Sequence, residues 1–168
     1  MSLSMYQACV PVFVQRLSAL AKILDKAAAH AEARKIDPAA LLNARLFPDM
    51  FPLVRQVQLA TDFAKGCAGR LAGVELPRYA DEEKSFGELK QRIEKTLAFL
   101  KGLSAAQIDG TEDKEITFPI AGTPTTFKGQ QYLLHSAMPN FYFHVTTAYA
   151  ILRHNGVEIG KRDFTASS

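Results

Sequence analysis

Asn140 and His144 stand four residues apart near the end of the chain, a spacing that sets an amide and an imidazole on one face of a helix about one turn from each other. A neutral imidazole can act as a general base near neutral pH or ligate a metal, and an adjacent amide can orient a small polar molecule. Pro139 immediately precedes the pair. Lacking an N–H, it leaves the carbonyl of His135 without its helical donor and predicts a kink there. A freed carbonyl, the imidazoles of His135 and His144, and Asn140 are the ingredients of a polar pocket inside a helical protein. Phe141, Tyr142 and Phe143 would supply its apolar wall.

Other chemistries find little support. The chain contains no HExxH motif and no glycine-rich phosphate loop in a strand–loop–helix setting. Glu82-Glu83 and Glu112-Asp113 fall in segments that read as solvated loops, and His30 and His154 read as surface residues. Cys9 and Cys67 are far apart, form no CxxC pair and lie within apolar helical patterns, so reduced, buried thiols are expected. No nucleophile accompanies His144 locally, and no reaction is assigned.

The elements that must position these groups follow from apolar spacing and punctuation. Ser4 to Gln7 forms a capping box. Behind it Tyr6, Val10, Phe13, Leu17, Leu20, Leu24 and Ala27 recur at helical spacing to about residue 33, with Pro11 predicting a kink. Asp37-Pro38 starts a short helix over 39–44. A second long helix carries Leu53, Val57, Ala60, Ala64, Cys67 and Leu71 and stops at Gly73. A third opens at the Ser85–Glu88 capping box with Phe86, Leu89, Ile93, Leu97 and Leu100 inward, and Ser104–Gln107 starts one further turn. Residues 116–120 and 125–127 alternate with period two and predict a small edge hairpin that tolerates Pro119 and Pro124. The last long helix, from about 129 to 155, aligns Leu133, Ala137, Asn140, His144, Thr147 and Ile151 on one stripe. The economical solution is an all-α four-helix bundle with a small β-hairpin between the third and fourth long helices, one domain over residues 1–168.

Composition narrows the function classes. Lys and Arg total 20 against 17 Asp and Glu, a net charge of +3 spread along the chain, which gives no basic face for nucleic acid. No apolar run approaches the roughly 18 residues of a membrane span, and the first residues lack the basic segment of a secretory signal. A cytoplasmic location is expected, with neither nucleic acid nor membrane as partner.

The block Pro139–Gly156, followed by Gly160-Lys161 and Asp163-Phe164, resembles the signature of an uncharacterised bacterial family. Phe51–Gln56 and Ala64–Gly66 add to the likeness. That family is a domain of unknown function in the DinB/YfiT-like superfamily of metalloenzymes. The resemblance implies a four-helix bundle, a tendency to dimerise, and in many members a divalent metal held by one histidine of the second helix and two spaced four apart on the last. Some relatives are thiol-dependent transferases or isomerases of small molecules. His144 matches the final histidine of that pattern, but Asn140 occupies the position four before it. The second helix holds no histidine, and Gln56 and Gln58 are its nearest polar substitutes. One imidazole with neutral amides is a poor donor set for zinc or nickel. The expectation is a degenerate metal site, with no metal and no cofactor, and a small-molecule pocket lined by His144, Asn140, His135 and Gln56. The competing readings are a divalent-metal-dependent transferase or hydrolase, and a non-catalytic structural or interaction protein, either of which fits a homodimer.

Overall fold

The computed structural model describes residues 3–165. Its helices are α1 (Met5–Arg34), α2 (Pro38–Leu42), α3 (Leu53–Ala72), α4 (Phe86–Lys101), α5 (Ala105–Ile108), α6 (Gly129–Gln131), α7 (Met138–His154) and α8 (Lys161–Thr165). Strands β1 (Glu115–Ile120) and β2 (Thr123–Lys128) precede α6, and a π-helical turn at Tyr132–Ala137 joins α6 to α7. Local chemistry sets the ends. The Ser4 hydroxyl accepts from the Gln7 amide while the Gln7 side chain accepts from the Ser4 N–H, and α1 then continues through Pro11. The Asp37 carboxylate caps α2 through the Ala39 N–H, and α3 stops where Gly73 turns left-handed at φ 71°.

The four long helices bury one seam. α3 packs along α7 and α4, α1 packs along α4, and α1 also touches α3 and α7. Phe13, Leu17 and Leu20 of α1, Val57 and Ala60 of α3, Leu89 and Ile93 of α4, and Phe141 and Ala148 of α7 are fully enclosed. Phe13 meets Phe141 edge-on, with centroids 4.7 Å apart. Burial of each large apolar side chain contributes about 1.5–3 kcal/mol toward holding the helices together. Cys9 and Cys67 are free and buried within this core.

The last helical stretch departs from the straight stripe expected of it. Five residues separate the Met138 N–H from the Leu133 carbonyl it bonds, and Pro139 contributes no donor to the following position. The ladder widens here, and the two sides of the wide turn differ in helical phase. Leu133, Ala137 and His144 remain buried, but Asn140 is exposed. Phe141 takes the inward place instead, while Tyr142 and Phe143 face outward, so the aromatic run does not form one wall.

The hairpin pairs Glu115 with Lys128 through Ile120 with Thr123 across the two-residue turn Ala121-Gly122, both at positive φ. Ile116 enters the core, and Phe118 and Phe127 close over Tyr132. The Lys114 ammonium donates to the Arg70 and Leu71 carbonyls, fastening the start of the hairpin to the C-terminus of α3. At the other end of the chain, α8 docks on α1 through Arg16, whose guanidinium donates to the Phe164 and Thr165 carbonyls, and through the Lys26–Asp163 ion pair at 2.6 Å.

Candidate functional site

Of the four residues singled out from the sequence, Gln56 and His144 meet directly. α3 and α7 run side by side, and this brings the Gln56 Oε1 to 2.8 Å from the His144 Nδ1. The Gln56 Nε2 donates to the Phe51 carbonyl at 3.0 Å, which fixes Oε1 as the acceptor and places the imidazole proton on Nδ1. The Nε2 of His144 is left unprotonated, with no protein hydrogen bond among the described residues. It is not fully enclosed, since no side-chain nitrogen or oxygen among those residues is both buried and unpartnered. Phe63 stacks on the ring at 5.5 Å and Phe143 meets it edge-on at 5.3 Å. Burial, and secondarily the nearby Arg55 guanidinium, push the His144 pKa down from 6.5 to about 4, so the ring is neutral at physiological pH.

Asn140 lies one turn from His144, but its amide donates to the Ser136 carbonyl at 2.7 Å rather than to either ring nitrogen. His135 is exposed, and of the four residues only Asn140 lines the groove between α3 and the hairpin tip. Nine residues before His144, His135 falls on another face of the helix, and the wide turn does not bring it round; Asn140 lies beyond that turn, on the same regular helix as His144. Cys67 lies against Cys9 and not His144. Burial, reinforced by hydrogen bonding to Cys9, pushes its thiol pKa well up, and it is no nucleophile at neutral pH.

A groove opens beside this pair, between α3, the tip of the hairpin and the π-helical turn. It encloses about 370 Å³ and is walled by Leu59, Phe63, Phe118, Pro119 and Ile120. Phe63 joins it to the His144 ring, lining the groove while stacking on the imidazole. Polar groups enter from Asp62, Arg70, Tyr132, Ser136 and Asn140. The Arg70 Nη1 donates to the Tyr132 hydroxyl at 2.9 Å, and its guanidinium carbon stands 4.8 Å above the Phe118 ring. Burial pushes the Tyr132 pKa up to about 12, so its hydroxyl keeps its proton. Asp62 is neutralised by Lys65 at 2.7 Å and by Arg92 at 2.9 Å. A mostly apolar cleft of this size with a few convergent polar groups suits a small organic molecule. Another depression of about 340 Å³, over Arg92, is lined mainly by charged side chains such as Glu82, Glu83 and Lys95.

Sequence reasoning passed over Arg70, Phe63, Tyr132 and Ser136. Tyr132, Ser136 and Asn140 recur every four residues, a visible signal, but their common face depends on the wide turn. The arginine carried a fainter one, a glycine four residues before it inside a helix.

The donor set does not suit a transition metal. Among the described residues no group of three His, Cys, Asp or Glu side chains is placed to hold a metal ion, and the imidazole is accompanied by amides whose NH2 groups are engaged elsewhere. Nor is any helix among those residues long and apolar enough to cross a membrane.

Residues 5–165 match the family model described as Domain of unknown function (DUF1993). The chain is also similar to a DinB family member protein from Shewanella denitrificans whose crystal structure is known, with 42% identity and a TM-score of 0.91 over 97% of this chain and 92% of that one. No curated protein matches it.

Proposed function

Since the chain belongs to the DUF1993 family of DinB-like bundles, we propose that residues 1–168 act as one cytoplasmic, small-molecule-binding unit whose ancestral metal site has degenerated. The observation that carries this reading is the apolar groove of about 370 Å³ beside a neutral imidazole, with Arg70, Tyr132, Ser136 and Asn140 converging on it. Asn140 and, through Phe63, the Gln56–His144 pair border the binding region. His135, on another face, has no part in it. The free thiols Cys9 and Cys67 suit a reducing compartment.

The test is a titration of the ¹⁵N-labelled protein with indole, 3-phenylpropanamide and 3-phenylpropionate. At least one compound should shift amide signals of α3, the hairpin tip and the π-helical turn together, and a groove-filling Leu59→Trp variant should abolish the response. Three silent compounds, or shifts that persist in the variant, would overturn the reading.

The metal component has its own test. Protein purified without an affinity tag and analysed by elemental mass spectrometry should carry zinc and nickel well below one atom per chain, because one imidazole plus amides binds them weakly. Full occupancy would restore the alternative of a metal-dependent transferase or hydrolase. A homodimeric interaction protein is favoured by the exposed rings of Phe47, Phe51 and Phe143, which leave apolar surface in water.

A further inference from the structure

We propose that the groove selects organic anions, small carboxylates with an aromatic or aliphatic body, and that Arg70 is the residue that recognises the carboxylate; this rests on the small-molecule reading above and names its ligand class.

Three features orient the guanidinium before any ligand arrives. The side chain folds back along α3 over Gly66, where a Cβ would stand 2.6 Å from the Arg70 Nη1 and make the guanidinium shift. Glycine is otherwise a poor choice in the interior of a helix. The Tyr132 hydroxyl then accepts from that same Nη1, and the Phe118 ring lies beneath the guanidinium. One edge is thus held by the protein, while Nε and Nη2 have no acceptor among the described residues. Among the described residues no carboxylate pairs with Arg70, whereas Arg55 pairs with Asp81, and Arg92 with Asp62, Asp81 and Glu83. Asp62, the one acidic side chain lining the groove, is already matched by two cations and does not compete.

The unsatisfied donors fit a carboxylate. Two free N–H groups on one guanidinium edge match its two oxygens, and such charge-assisted pairs are the strong ones. The Tyr132 hydroxyl uses a lone pair on Arg70 and finds no acceptor for its own proton among the described residues, so it can add a third bond. Beyond the charged end, Phe63, Leu59 and Ile120 cover an apolar body.

The experiment compares 3-phenylpropionate with 3-phenylpropanamide, which differ in charge but hardly in shape, by the same titration. The wild-type protein should bind the carboxylate about tenfold more tightly or better, the scale of one charge-assisted hydrogen bond. Arg70→Gln should erase that preference, the carboxylate losing about tenfold or more in affinity relative to the amide. Gly66→Ala provides a variant that keeps the charge and favours the helix. By displacing the guanidinium from its seat, it should cut the preference while the melting temperature holds or rises. Equal affinities for the two compounds in the wild type, or a preference that survives both substitutions, would overturn the anion proposal while leaving the groove as a binding site. If neither compound binds and indole does, the anion proposal falls alone; if none of the three binds, both readings fall.

Discussion

Replacing Arg92 with alanine is expected to lower the free energy of unfolding by about 3–5 kcal/mol, the range found when one partner is removed from a buried ionic network. Arg92 is 3% exposed in the midst of α4, yet it ties that helix to two other segments. Its Nε donates to the Thr61 hydroxyl at 2.8 Å and its Nη2 to the Asp62 carboxylate at 2.9 Å, both on α3. Its Nη1 reaches the Ala80 carbonyl at 3.1 Å and the Asp81 and Glu83 carboxylates at 3.0 Å, on the connection that leads into α4. Burial alone would pull the guanidinium pKa down, but hydrogen bonding to Glu83 and the charges of Asp62, Glu83 and Asp81 outweigh it and hold the group firmly ionised. Alanine would leave those carboxylates repelling one another around a void. Urea unfolding measures the loss, and Arg92→Lys should recover only part of it, because an ammonium cannot reproduce the planar fork. A loss below about 1 kcal/mol, the range of an exposed pair, would show that the network does not bind α3, α4 and their connection together.

Acidification should destabilise the protein through His144. Its pKa is about 4 in the folded chain against 6.5 for an unperturbed imidazole. Below pH 6.5 the unfolded chain takes up a proton that the folded chain refuses until about pH 4. The stabilisation is therefore fully present above pH 6.5 and drains away as pH falls through that window. It amounts to roughly 3 kcal/mol in all, with about 2 kcal/mol lost by pH 5. Denaturant titrations at several pH values should show the wild type converging on a His144→Gln variant as pH drops from 7 to 5, since glutamine keeps a donor for Gln56 but has no proton to gain. Parallel curves would mean that the ring titrates normally and is not held neutral by its surroundings.

Much of the architecture was legible because short-range chemistry encodes it. Ser4 with Gln7, Asp37 with Pro38, and Gly73 each mark a helix end that the structure places within a residue or two of the expected position. The alternation at 116–120 marked the hairpin in the same way. The site was less legible because it depends on distances between segments and on helical phase. Spacing put Asn140 and His144 on one stripe, but four residues overshoot a full helical turn by about 40°, and Asn140 ends exposed where His144 is buried. Nothing local tells that Gln56 will meet His144 across 88 positions of sequence, or that the hairpin tip will close over α3 beside Arg70. Arg92 was hidden by its own type: a guanidinium between the inward-facing Leu89 and Ile93 reads as a surface charge until its acceptors are placed around it.

The widened turn at Tyr132–Ala137 divides the final rod into two halves that can be tuned separately. In a regular α-helix each residue advances the chain by about 100°, so adding or removing one position swings everything beyond it by that angle. Here such an offset is already built in at a single place. The half that follows stays locked to Phe13 and the bundle interior, while the turn itself begins at Tyr132, on which the hairpin packs. Gain or loss of one residue in that short stretch would re-aim the cleft by about that angle relative to the four-rod core.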